Sequence, residues 1–260
     1  MSTGVVQVLA ALAFAAAAAG LAVRLRLGIG REIVWAAGRA VLQLAVVGAV
    51  IAAVFRFPAL SAVFLAAMAS AAALTSGSRL RGLPHPRRTA LLAIAPPALA
   101  ATGLLILVGA FQATPRAIVP TAGILLGGAM AATSLTGRRM LEALHDELDA
   151  IETRLALGDD VRGALAPVVR RAVVTGLVPA IDQTRSVGIV TLPGTFVGLV
   201  LGGASPATAA RTQLVVLLAL LLVELLAALL VSVAISRAVT APGERVVVPE
   251  RDDARGTPAR

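Results

Sequence analysis

Three polar side chains interrupt long apolar runs of this sequence. Arg39 and Gln43 stand four residues apart, which places them one turn apart on one face of a helix. Glu224 stands among leucines, where a carboxylate needs a proton or a partner, and Arg39 is one candidate partner. An ionisable residue inside a membrane segment is by default a candidate for function. For Arg39, an equally good interpretation is that the long side chain only reaches out to the membrane surface.

A second candidate site is the stretch LALGDD at residues 155–160. Gly158 suits the position that follows the last residue of a helix. Asp159 or Asp160 can then cap the start of a new helix. A rigid helix that ends at a glycine gives a compact knob, and a knob can seat in a cleft on another protein. The alternative is an ordinary helix-loop-helix that only stabilises its own bundle.

Several kinds of chemistry are excluded by composition. Cysteine is absent, so the chain has no thiolate metal site and no cysteine nucleophile. Lysine is absent, and a P-loop needs its lysine on the phosphates of the nucleotide. The sequence also lacks a Ser-His-Asp set, an HExxH motif and paired carboxylates. We therefore predict that the protein is not an enzyme and holds no cofactor, and that any ATP is hydrolysed by a partner chain.

Composition predicts an all-α polytopic membrane protein. Of the 260 residues, 58% are hydrophobic and 14% are charged, whereas soluble domains average about 25% charged. Apolar runs approach 20 residues, the length that crosses a bilayer core of roughly 30 Å. The net charge of +9 resides on arginines, and aromatic residues make up only 3%, which argues against nucleic-acid binding. The predicted spans are 4–23, 35–55, 59–74, 90–111, 117–135, 187–203 and 212–235.

The arginines also predict the orientation of the chain. The loops after the first, third and fifth spans hold most of them, whereas the loops after the second and fourth hold only Arg56 and Arg116. Because positive loops stay in the cytoplasm, we predict an external N-terminus and a cytoplasmic C-terminus. The domain of membrane helices should cover residues 1–239. The tail 240–260 is rich in proline, glycine and charge, and we predict that it is disordered.

Between the fifth and sixth predicted spans the pattern changes to that of an amphipathic helix. Leu141, Leu144, Leu148, Ile151 and Leu155 recur at spacings of three and four, with acidic residues on the other faces. We expect such a helix to lie in water or on a partner rather than in lipid. The segment that follows is basic and then apolar, and its last part, 173–181, could be inserted, interfacial or packed on other helices. We assign residues 137–186 to one cytoplasmic region.

Three groups of strings in this sequence resemble a known family. The first is GRAVLQL at 38–44, and the second is VPTAGILLGGAM at 119–130. The third comprises LALGDD, LVPAID and VGIVTLPG, followed by LGGASPATAARTQ at 201–213. They are similar to the permeases known as UPF0014, which include the Fet-type bacterial iron exporters and the plant aluminium-sensitivity permeases. The resemblance extends from about residue 31 to about residue 237.

The resemblance implies the membrane subunit of an ABC transporter in the inner (plasma) membrane. Two permeases would pair with two separate ATPase subunits, which bind the ATP and Mg²⁺. The transported substrate would be a metal ion, with iron export the reference case, or another small solute. The string at 155–160 is similar to the coupling loop of ABC importers. The coupling residues implied are Leu155, Ala156, Leu157, Gly158, Asp159 and Asp160.

The sequence departs from the family pattern in two places. The family commonly has Asn where this chain has Gly128, and a Met pair where it has Thr195 and Phe196. Thioethers are ligands for soft metals, so Met130 is the main remaining sulfur candidate in these motifs. The departures weaken the expectation of iron and leave the ABC assignment in place.

Further pathway candidates lie in and before the sixth predicted span. Pro193 and Gly194 would break that span, and the bend could gate a pathway or serve only packing. Asp182 matches the family's PxxD position, and we expect it to pair with Arg185 near the cytoplasmic edge rather than to contact substrate.

Two other functions remain open at this level. A secondary transporter or channel would use ion gradients through Glu224 and Arg39. A membrane scaffold would use its cytoplasmic helix only to bind a partner.

Overall fold

The computed structural model describes residues 3–243 and 245–248, and these residues are almost entirely helical. The elements are α1 Thr3–Arg24, α2 Gly30–Arg56, α3 Leu60–Gly77, α4 Pro86–Leu107, α5 Pro115–Asp146, α6 Leu148–Ala156, α7 Val161–Ser186, α8 Gly194–Leu201, α9 Pro206–Val239, β1 Thr240–Ala241 and β2 Arg245–Val246. Seven of the described helices are long and apolar enough to cross a membrane, namely α1 to α5, α7 and α9. The predicted fold class is confirmed.

The predicted sixth span, 187–203, is wrong. The sixth long apolar helix is α7, Val161–Ser186, and the residues after it form a turn and the eight-residue helix α8. Gly188 has a φ of +81°, and Pro193 is extended just before α8 begins, so no helix runs through this stretch. Charge-free composition made 187–203 attractive as a span, but its glycine and proline break it.

The chain divides into two compact units, residues 1–60 and 61–260. In the first unit α1 and α2 form a helical hairpin. The turn is tight because Gly30 lies against Val23, whose Cγ2 would be 2.6 Å from a Cβ added at that glycine. Ala19 and Ala22 are buried within this unit, so small residues let the two helices approach closely.

The second unit is built around α5 and α9, which pack along most of their lengths. Gly128 of α5 lies against Leu220 and Glu224 of α9, and Gly137 of α5 lies near Val231 and Ile235. The step of nine residues from Gly128 to Gly137 on α5 therefore corresponds to a step of about eleven residues on α9. The two helices run in the same direction, with α4 and α7 packed against both.

The amphipathic stripe is covered by its own chain. A break at Glu147, with φ −117° and ψ 20°, separates α5 from α6, so the stripe lies on two helices rather than one. Leu144 and Ile151 are almost completely buried in the core of the second unit, and α6 packs on α7. The apolar stripe of α6 therefore packs on α7 of the same chain, and the expectation that the helix lies in water or on a partner rather than in lipid stays a prediction.

The first part of the predicted tail holds a short hairpin. Thr240 and Ala241 pair antiparallel with Val246 and Arg245 across a turn at Gly243, which has a φ of +80°. Residues 249–260 lie outside the described residues. The domain boundary at residue 239 and the disorder of the tail end stay predictions.

Candidate functional site

The turn at 157–160 closes α6 with a specific backbone motif. Gly158 has a φ of +99°, a conformation that other residues rarely adopt. Its N–H donates to the carbonyl of Leu155 at 3.0 Å, and the N–H of Asp159 donates to the carbonyl of Arg154 at 3.1 Å. This pair of bonds is the Schellman motif, which satisfies carbonyls at the end of a helix. The glycine therefore ends α6 as the sequence predicts.

Side chains fix the two sides of the same turn. Arg154 Nε donates to Asp159 Oδ2 at 2.7 Å. Asp160 Oδ1 accepts from the N–H of Gly163 at 2.7 Å, which makes Asp160 the N-cap of α7. Both aspartates thus have partners within the chain. What the turn offers to another protein is its apex, Leu157, whose side chain is 83% exposed.

The other predicted residues of the turn divide by burial. Leu155 is half-buried against the core, so it anchors α6, whereas Ala156 is exposed beside Leu157. Further back, Glu147 at the α5–α6 break forms an ion pair with Arg171 of α7. α6 and the turn that follows it thus form a short helical knob. The Glu147–Arg171 ion pair fixes its base, and hydrogen bonds on both sides of the turn fix its tip.

Removing the N-cap of α7 should loosen this knob. Asp160→Ala leaves the Gly163 N–H without its partner, and we expect a loss of about 1 kcal/mol in the free energy of unfolding. Thermal unfolding of the purified protein in detergent measures the change. Asp160→Asn keeps an acceptor at the same place and should behave like the wild type. An equal loss in both variants would show that the carboxylate charge, not the cap, stabilises the helix start.

Glu224 lies deep within the second unit. The residue is 7% exposed and is the only buried charged residue among those the structure describes. A Cβ added at Gly128 would lie 2.5 Å from Glu224 Oε1, so the carboxylate occupies the gap that this glycine leaves on α5. Within its own unit the carboxylate has no hydrogen bond or ion pair to a described residue. The predicted pairing with Arg39, which belongs to the first unit, stays a prediction.

One polar residue was missed as a candidate. Gln213 is 7% exposed, and its Oε1 has no hydrogen-bond partner among the described residues. It precedes Glu224 by eleven residues on α9, which is close to three full turns, so both project from the same face. That spacing of two polar side chains in an otherwise apolar helix was the available signal in the sequence.

Met130 does not join this group, and Arg39 and Gln43 belong to the first unit. Met130 follows Gly128 by two residues on α5 and therefore points to a different side of that helix. Its carbonyl accepts from Ser76 Oγ at 3.1 Å, on the side of α3. Arg39 and Gln43 lie four residues apart on α2, and both are exposed within the first unit.

The residues expected near the cytoplasmic edge lie at the end of α7. Asp182 and Arg185 stand in the last turn of α7, at the opposite end of that helix from the turn at 157–160. Both are exposed, and their closest N–O distance is 4.0 Å, so any ion pair is weak. Pro193 and Gly194 do not bend a span, because they begin α8. Their placement is corrected by the same shift of the sixth span to α7.

No cluster of three or more acidic, histidine or cysteine side chains that could enclose a metal ion occurs in the described part of the chain.

The family of this chain follows from comparison with known proteins. The model of the uncharacterised protein family UPF0014 matches residues 5–240, which is most of the chain. This chain belongs to the UPF0014 family.

Curated relatives of this UPF0014 protein come from plants and bacteria. The rice (Oryza sativa subsp. japonica) UPF0014 membrane protein STAR2 is 37% identical over 84% of this chain and 77% of its own length. The Arabidopsis thaliana protein ALUMINUM SENSITIVE 3 is 36% identical over 82% of this chain and 79% of its own. The Escherichia coli (strain K12) "Probable iron export permease protein FetB" is 30% identical over 75% of this chain and 76% of its own. No solved structure matches.

Gly128, noted in the sequence as a departure from the family resemblance, lies at this contact between α5 and α9. It faces Leu220 and Glu224. An Asn side chain there would occupy the space that the Glu224 carboxylate fills.

Proposed function

We propose that the chain is the membrane-spanning permease subunit of an ABC transporter in the inner (plasma) membrane. It would export a metal ion, with iron the first candidate, or another small solute. A separate ATPase chain would hydrolyse the ATP, and two copies of each subunit would form the complex. The observation that carries the proposal is the capped turn at 157–160, with Leu157 exposed at its apex.

The turn has the properties that a coupling contact requires. It is rigid, because backbone and side-chain hydrogen bonds fix both of its sides. It presents one apolar side chain, Leu157, which can fill a pocket on a partner. It also joins α5 and α6 directly to α7, so a force applied at the apex moves long helices as rigid bodies.

The substrate class is supported by one relative's name and by composition. The name of the E. coli relative specifies iron export, and this family member shares 30% of its residues over the aligned region. The chain lacks lysine, so it has no P-loop of its own and ATP must be bound elsewhere. Together these support a permease that moves a metal ion with energy from a partner.

The test is reconstitution with and without an ATPase subunit. The purified chain alone should hydrolyse no ATP, because it has no nucleotide site. Co-expressed with an ATP-binding subunit encoded beside it, it should form a stable complex whose ATP hydrolysis rises when the substrate ion is added. The ATPase subunit alone and the permease in empty liposomes are the controls. Ion transport in liposomes without any ATPase would contradict the proposal and favour a secondary transporter.

A further inference from the structure

The Glu224 carboxylate stands near the middle of the longest described helix. It lies 18 residues from the start of α9 and 15 from its end, which is roughly 27 Å and 22 Å along the helix axis. The residue is 7% exposed. A side chain at this depth, in a helix apolar enough to cross the membrane, is far from the water at either end.

The arginines of α9 and α5 lie far along these two helices from the level of Glu224. The arginines of α9, Arg211 and Arg237, are each thirteen residues from Glu224, or roughly 20 Å along the helix. On α5 the nearest arginines to Gly128 are Arg138, ten residues on, and Arg116, twelve residues back. Glu224 forms no ion pair within its unit. Because a buried, unpaired carboxylate is strongly unfavourable, Glu224 calls for a compensating positive charge, and a bound cation can supply it as a proton can.

Gly128 sets how closely α5 approaches this carboxylate. It keeps the α5 backbone close to Glu224 Oε1, since an added Cβ would lie only 2.5 Å from that oxygen. On the same face of α9, roughly 16 Å toward its N-terminal end, lies the unpartnered Oε1 of Gln213. The Glu224 carboxylate and the unpartnered oxygen of Gln213 thus follow one face of a helix that is apolar enough to cross a membrane.

We propose that Glu224 is a cation-binding group of the transport pathway, with Gln213 as a second oxygen ligand along it, and that the transported ion prefers oxygen ligands. The proposal rests on the proposed function and names its substrate class. The soft sulfur of Met130 does not share the site, because this residue points to another side of α5. A single carboxylate without a closed ligand shell suits an ion that must leave again, whereas a complete cage of protein ligands would retain it.

Direct binding to the purified full-length protein tests this without any ATPase. Mn²⁺ serves as the oxygen-preferring probe and Ag⁺ as the soft one, and both are measured by equilibrium dialysis in lipid nanodiscs. Glu224→Gln keeps the shape and removes the charge, and we expect Mn²⁺ binding at least tenfold weaker. Glu152→Gln removes an exposed carboxylate of α6 and should leave Mn²⁺ binding unchanged. Equal Mn²⁺ binding by wild type and Glu224→Gln, or tighter binding of Ag⁺ than of Mn²⁺ by the wild type, overturns the proposal.

A second variant keeps the carboxylate and disturbs only its setting. In Gly128→Ala the new methyl group collides with the flexible ends of Leu220 and Glu224, which can move aside without unfolding the helix pair. Mn²⁺ binding should fall several-fold while the protein stays folded, and unchanged binding would count against the site. If Mn²⁺ binding depends on Glu224 but no ATPase subunit associates with the chain, the cation site stands and the ABC assignment fails. If the ATPase complex forms but Glu224→Gln binds Mn²⁺ normally, the reverse holds.

Discussion

Replacing Gly158 by proline should abolish the stimulation of the partner ATPase while leaving the helix bundle folded. Proline fixes φ near −65°, whereas Gly158 has a φ of +99°. Proline also lacks the N–H that donates to the Leu155 carbonyl. The end of α6 must therefore unwind, and the exposed Leu157 loses its fixed position. We expect substrate-stimulated ATP hydrolysis of the complex to fall more than tenfold, measured by phosphate release.

Two matched variants separate coupling from general damage. Gly158→Asn places in the turn a residue that tolerates a positive φ, so it should retain most of the stimulation. Gly109→Pro introduces the same backbone conflict at another exposed turn, where φ is +73° and the N–H donates to the Ile106 carbonyl. By the positive-inside rule that turn faces the other side of the membrane. If Gly109→Pro reduced ATP hydrolysis as much as Gly158→Pro, the coupling role of the turn at 157–160 would be refuted.

Adding one methyl group at Gly176 should destabilise the second unit more than any other single change discussed above. A Cβ at this position of α7 would lie 1.9 Å from Thr136 Oγ1 and 3.2 Å from the Thr136 Cα of α5. The nearby backbone atom limits how far the threonine can retreat. We expect Gly176→Ala to lower the free energy of unfolding by about 1–3 kcal/mol, as for other overpacked cores. Unfolding in mixed detergent micelles measures the loss.

The companion variant relieves the collision. Thr136 is fully buried, and its hydroxyl has no partner among the described residues, so Thr136→Ala alone should be close to neutral. In the double variant the closest contact disappears, and we expect a favourable coupling energy of about 0.5–3 kcal/mol. Gly103→Ala is the control, because an added Cβ there meets nothing within 4 Å. A loss in Gly103→Ala as large as in Gly176→Ala would show that close packing of α5 on α7 is not the cause.

The sequence predicted the number of spans and missed one of them for a physical reason. The segment 187–203 has no charged residue, whereas α7 contains Arg162, Arg170 and Arg171 near its start and two internal prolines. Hydropathy treats every face of a helix as lipid-facing. Because α7 packs on both α5 and α9, it buries part of its surface in protein and needs less apolar composition to cross. The backbone conformations at Gly188 and Pro193 prevent the more apolar stretch 187–203 from forming one continuous helix.

Of the candidate sites, one could be predicted from adjacent residues, and the other depends on contacts between distant segments. The end of α6 could be predicted, because a glycine after a helical pattern followed by Asp is a local signal that depends on adjacent residues. The meeting of Gly128 with Glu224 could not, because it joins positions 96 residues apart and depends on how α5 and α9 are aligned. The unpartnered Gln213 belongs to the same class. Packing between distant segments carries information that single-helix patterns lack.

The lengths of α5 and α9 have a mechanical consequence. With 32 and 34 residues, they measure about 48 Å and 51 Å, while the hydrocarbon core of a bilayer is roughly 30 Å. Both are therefore longer than the hydrocarbon core and run parallel to each other. Tilting a 48 Å rod by ten degrees about one end carries the other end sideways by about 8 Å. A small rotation of either helix within the membrane would therefore produce a large displacement of its far end.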